Sequence, residues 1–305
     1  MVENFVFVMN VSSLESEEFT LAPGHILRRA NPEEIERIRS ILPQIHFGPT
    51  PSRLHWEYEP PSLGGGPYQP LTQEKFRYFV IAFDGSSQEA GVIQRAADIS
   101  IREIELGLTV TTMNGAQGWV ITPGRLFHFL SSEPMYGQFC KPFSERDAAE
   151  VSSIYSRLKD HDKALVDVDQ LASQIGQMKE MSRWSPLAVL GYFAILEALL
   201  THLPKPLDPY DSITRQIKKK LTLLDNRWST RIDYSPFGGA EPEKVWEKMY
   251  SYRSALAHGA KPNFERDLKL LRSPDHALSL VKETVKSIAR FALVDPRLLE
   301  DLKNC

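Results

Sequence analysis

The sequence predicts an α+β domain over residues 1–140 followed by an all-α helical bundle over residues 141–305. Three observations carry that reading. In the first part, short β-rich runs such as Phe5–Val11 and Phe76–Phe83 mix with helical stripes, without the regular strand–helix beat of a doubly wound sheet. From Ser144 onward, apolar residues recur three and four apart in segment after segment, the period of helices that bury one face. The charge also changes: residues 186–305 hold 19 Lys/Arg against 15 Asp/Glu, which leaves 17 against 24 in residues 1–185. A chain of 305 residues is long enough to bury a core in each part.

Composition sets the outer limits. With 42% hydrophobic and 25% charged residues and a net charge of −3, the chain has the balance of an ordinary globular protein. The charge difference between its parts is too small for the basic footprint of a dedicated duplex-DNA binder. Cys140 and Cys305 cannot form a disulfide framework, and neither stands in a metal-ligand spacing, so no metal and no cofactor is expected. No uninterrupted apolar run reaches the ~20 residues that span a bilayer. Met1 is followed closely by Glu3 and Asn4, unlike the charged-then-apolar opening of a leader. A cytoplasmic protein without membrane attachment is the expectation.

In the first part, Phe5–Val11 (FVFVMNV) reads as a strand and His25–Arg28 as a second. Asn31, Pro32, Glu33 and Glu34 form a helix start: a capping amide, a proline that needs no N–H, and acids on the positive dipole end. Ile35, Ile38, Ile41 and Leu42 supply its buried stripe, and Pro43 is expected to end it. Leu54–Glu59 (LHWEYE) alternates and predicts a half-exposed strand. Gly64, Gly65 and Gly66 lie between prolines with no Lys-Ser or Lys-Thr after them, so they form a connection and not a phosphate loop. Phe76–Phe83 is apolar enough for a central strand. Gln88–Leu106 carries Ala90, Ile93, Ala97, Ile101 and Ile104 at helical spacing, with strand as the alternative over Ser100–Ile104. Leu108–Met113, the Asn114-Gly115 turn and Trp119–Ile121 predict a hairpin. His46, His55 and His128 are scattered, and Arg28-Arg29 reads as a solvated pair, so this part assembles no catalytic set.

In the second part, Ser144 caps a helix whose stripe runs from Val151 to Met178, interrupted at Lys159–Asp162. His161 between two aspartates is a solvated turn, because adjacent side chains on a helix point different ways. Ser185-Pro186 opens a helix to His202 that is apolar nearly all round, hence the centre of a bundle, and Glu197 is its only charge. A buried carboxylate needs a partner, so Glu197 either faces solvent or caps a loop amide, or else it orients Arg253 on a neighbouring helix. Asp211 or Ser212 caps a helix with Ile213, Ile217, Leu221 and Leu224 inward and Arg215, Lys218, Lys219 and Lys220 on its other face. That cation cluster is a solubilising face or, in a nucleic-acid enzyme, a phosphate-tracking one. Tyr234 and Phe237 stand in the following loop, as core anchors or as platforms for a splayed base. A last helix is expected from Asp275 to Val294, ended by Asp295-Pro296.

Between these lies Glu241–Gly259 (EPEKVWEKMYSYRSALAHG), a helix with Pro242 at its start, Val245, Met249, Tyr252 and Leu256 as its stripe, and Gly259 as a left-handed terminator. Arg253, Ser254 and His258 crowd its end. On a regular helix, five steps of about 100° leave Arg253 and His258 roughly 140° apart. Either the last turn unwinds or a second copy of the chain completes a site between them. YRSALAHG, preceded by the helix SPLAVLGYFAILEALLTH, resembles a HEPN domain of the ApeA-like type found in bacterial defence and toxin proteins, over roughly residues 145–300. That family is marked by an Arg, a polar residue after it, and a His four to six positions on, which Arg253, Ser254 and His258 match.

The resemblance implies a metal-independent endoribonuclease in anti-phage defence or a toxin system, with RNA as substrate and a composite site at a homodimer interface. It also implies Arg253, Ser254, His258 and Glu197 as the site, Arg215, Lys218, Lys219 and Lys220 as RNA contacts, and the first domain as sensor or regulator. An antitoxin or trigger protein would be a further partner. A His suits proton transfer and an Arg the developing phosphorane charge. The alternatives are a non-catalytic binding and dimerisation module and, in a toxin–antitoxin pair, nucleotidyl acceptance at Tyr250 or Tyr252.

Overall fold

The computed structural model describes residues 4–45, 54–59, 66–84, 87–113, 116–121, 125–126, 129, 140–181, 185–204, 211–228 and 230–305. His46, Gly64, Gly65, the Asn114-Gly115 turn and His128 lie outside them. The chain divides into two compact units, Met1–Lys159 and Asp160–Cys305. The division falls at the end of the helix that Ser144 starts, not at its beginning.

The first unit is built on a six-stranded sheet in the order β3-β4-β7-β1-β8-β9, with β1 at Asn4–Val8, β2 at Val11–Leu14, β3 at Glu18–Ala22 and β4 at His25–Arg29. The remaining strands are β5 at Tyr58–Glu59, β6 at Gln69–Pro70, β7 at Phe79–Phe83, β8 at Leu106–Met113, β9 at Ala116–Ile121 and β10 at Lys141–Phe143. Neighbours in the large sheet pair antiparallel, with Phe7 opposite Val80 and Phe5 opposite Val110. The central strand β7 is buried along its whole length, as a strand covered on both faces must be. Phe5, Phe7, Tyr78, Val80 and Trp56 share one core cluster. The helices are α1 at Pro32–Ile45, α2 at Leu54–Glu57, α3 at Ser87–Ile99 and α4 at Glu145–Asp160.

Several local expectations change here. Pro43 does not end α1, which runs on to Ile45: with three residues left, the bond and the close carbonyl contact that proline disturbs lie in the last turn, where the helix ends in any case. The start of α1 is a reciprocal box, Asn31 Oδ1 accepting from the Glu34 N–H at 2.9 Å and Glu34 Oε2 from the Asn31 N–H at 2.8 Å. Arg28 also donates to both oxygens of the buried Glu34, so it is not a solvated cation. LHWEYE forms a helical turn and then two strand residues, because the Trp56 indole is drawn fully inside and donates to the Met9 carbonyl at 3.1 Å. α3 stops at Ile99, and Ser100–Glu105 is neither helix nor strand: Asn10 accepts from the Glu105 N–H and donates to the Glu103 carbonyl.

The second unit holds α5 at Val168–Glu180, α6 at Pro186–Leu200, α7 at Ile213–Asp225, α8 at Pro242–Ala257, α9 at Pro274–Ala292 and α10 at Pro296–Asn304. α6 is the central helix and packs against α5, α7, α8, α9 and α10. Asp295-Pro296 is not only a stop: Asp295 accepts from the Leu298 N–H at 3.0 Å and caps α10. The interruption after Asp160 is a connection in which Asp162 and Lys163 are exposed. Phe237 is buried, and Tyr234 accepts from the Trp246 indole at 3.0 Å, so both anchor the loop before α8 to the core. The described residues contain no helix long and apolar enough to cross a membrane.

Candidate functional site

α8 begins at Pro242 and buries Val245, Trp246, Met249 and Tyr252. Its end is a left-handed closure. The Ala260 N–H donates to the Ala255 carbonyl at 2.8 Å and the Gly259 N–H to the Leu256 carbonyl at 3.2 Å, with Gly259 at φ 68°. The His258 N–H still donates to the Ser254 carbonyl at 3.1 Å, while His258 itself is the cap residue just past Ala257, at φ −97° and ψ 8°. Ser254 and His258 are exposed.

Glu197, on α6, meets the motif helix. Its Oε2 accepts from Arg253 Nη2 at 3.2 Å and its Oε1 from the Tyr250 hydroxyl at 2.8 Å. This is the second of the two accounts of the lone carboxylate, and it explains how an apolar helix carries one. One turn earlier on α6, the Phe193 ring stands edge-on to Tyr250 at 5.6 Å and to Trp246 at 6.3 Å. The pairings advance together along both helices, so α6 and α8 run parallel. The Arg253 side chain is 33% exposed and that of Glu197 19%, so the pair is open to solvent on one side and little of its attraction becomes stability. Burial, then the hydrogen bond to Glu197 and its charge, push the Tyr250 hydroxyl far above the ordinary tyrosine range. Tyr250 is the site residue that the sequence did not single out for this role; its one signal is a position three before Arg253, on the same flank of the helix.

The four cations of α7 do not share one face. Arg215 and Lys219 are exposed, and Lys218 lies half-buried 3.9 Å from Glu247. Lys220 is only 5% exposed and donates to the Lys303 carbonyl at 3.2 Å, with burial holding its pKa below the ordinary lysine value. It follows Gln216 by four and Ile217 by three, which puts it in the buried stripe. Among the described residues, no group of three or more His, Cys, Asp or Glu is placed to hold a metal. Comparison with protein-family models, with curated proteins and with solved structures finds no match for this chain.

Proposed function

We propose that the protein is a metal-independent endoribonuclease of the HEPN type, with a composite site formed where the motif helices of two chains meet at a two-fold axis. The observation that carries this is the Glu197–Arg253 pair: a cation held in place from one side by the lone carboxylate of an otherwise apolar helix, beside an exposed serine and histidine. Cleavage would proceed by attack of the ribose 2′-hydroxyl on the adjacent phosphorus. The O2′–P bond forms and the P–O5′ bond breaks, one His258 takes the 2′ proton and the other gives a proton to the leaving 5′ oxygen. Arg253 stabilises the phosphorane, and Ser254 hydrogen-bonds a phosphate oxygen. One histidine per chain cannot serve as base and acid in the same step, and a two-fold dimer supplies both. Arg215, Lys218 and Lys219 would track the RNA backbone. The first unit would sense a trigger or antitoxin in a cytoplasmic defence or toxin system.

The test is cleavage of total RNA by purified protein in the presence of a chelator. Products ending in a 2′,3′-cyclic phosphate are expected, with losses of about 10²-fold or more in His258→Ala and Arg253→Ala at an unchanged fold. Undiminished cleavage in both variants, or a strictly monomeric active species, sinks the proposal.

A further inference from the structure

Resting on the ribonuclease reading of the same site, we infer that Tyr250 is a positioning residue that divides the Glu197 carboxylate, so that Arg253 is tethered through one oxygen and keeps the rest of its guanidinium for a phosphate. A carboxylate and a guanidinium that meet freely pair fork to fork, with two parallel N–H···O bonds. Here that arrangement is pre-empted. The Tyr250 hydroxyl holds Oε1 at 2.8 Å, and Arg253 reaches Oε2 through Nη2 alone, at 3.2 Å. Among the described residues Arg253 has no other hydrogen-bond partner, so most of its donors stay uncommitted.

The device is held in place on both sides. Tyr250 and Arg253, three residues apart, lie on one flank of α8, and the edge-on Phe193 ring fixes the plane of the tyrosine. Burial and the neighbouring Glu197 hold the hydroxyl well above the ordinary tyrosine range, so it meets the carboxylate as a neutral donor. Without it, Oε1 would be free to take a second N–H of the same guanidinium. A two-pronged clamp would then neutralise the edge of Arg253 that a phosphorane needs.

Tyr250→Phe keeps the ring and removes only the hydroxyl. The expected result is a fall on the order of tenfold in kcat at nearly constant KM and melting temperature. In a Glu197→Gln background, where no carboxylate exists to clamp the arginine, the same change should add less than about twofold. A readout independent of activity is the rate at which phenylglyoxal modifies Arg253, followed by mass spectrometry, which should drop several-fold in Tyr250→Phe. If the wild type cleaves no RNA, the ribonuclease proposal fails while the labelling rates still decide this one. Equal Arg253 labelling in wild type and Tyr250→Phe overturns it. So does a Tyr250→Phe defect that is as large in the Glu197→Gln background as in the wild type.

Discussion

The Lys220 ammonium points into the second unit and donates to the main-chain carbonyl of Lys303, 3.2 Å away. A residue that belongs by charge to a phosphate-tracking surface thus fastens α10 to α7. Lys220→Met is expected to lower the melting temperature and leave the salt dependence of RNA binding unchanged. Arg215→Gln with Lys219→Gln should do the reverse. The slope of log affinity against log salt should fall by about 0.7 for each phosphate that is no longer neutralised. Filter binding at several salt concentrations, beside a thermal melt, checks both.

Gly259 sits at φ 68° with open space where a Cβ would go, so only backbone strain opposes a side chain there. Gly259→Ala should cost about 1–2 kcal/mol. It should also reduce cleavage beyond that loss, since the closure it forms sets the position of His258. Melting and cleavage measured on the same preparation separate the two effects. A variant of full activity would show that His258 needs no such seat.

Much of this was legible in residues that act locally. Pro32, Pro186 and Pro242 open helices where Asn31, Ser185 and Glu241 precede them, because helix starts depend on three or four neighbouring positions. A lone Glu197 on an apolar helix likewise announced a partner. What stayed hidden depends on distant chain. β3 (EFTLA) is only five residues long, too short for its alternation to announce a strand alone, and it is held as one by its pairing with β4. LHWEYE alternates like a strand, yet Trp56 is fixed by the Met9 carbonyl, 47 positions away. Tyr250 acquires its role only because α6 and α8 run side by side in the same direction.

In the first unit, Arg125 donates through two nitrogens to the two oxygens of Asp98, at 2.8 Å each, with both side chains almost fully enclosed. Removing one partner strips the other, still buried, charge of both of these charge-assisted bonds. Asp98→Ala should destabilise this unit by about 3–5 kcal/mol. Replacing the pair together with apolar residues of similar volume should cost far less. Urea denaturation of the single and double variants is the comparison, and equal losses in both would mean that packing, not charge, dominates there.

Alkaline pH should weaken the second unit through its tyrosines. Burial pushes Tyr234 up to about 12, and burial likewise raises Tyr250 and Tyr252. In the unfolded chain each releases its proton near 10. The stability linked to the neutral hydroxyls is therefore fully present below pH ~10 and is lost as pH rises through ~12. Melting temperature should decline over that window, and Tyr234→Phe should make the decline shallower. A flat profile to pH ~12 would contradict the burial of these rings.

Glu197 and Arg253 are 56 positions apart, with all of α7 between them. A ribosome making this chain from the front therefore releases the carboxylate long before the arginine that it holds. The site cannot exist on a partly synthesised chain, nor on one whose α8 has yet to dock. For an enzyme of the proposed kind, that order of events is a safeguard: no RNA-cleaving site forms before α8 has been made and has docked beside α6.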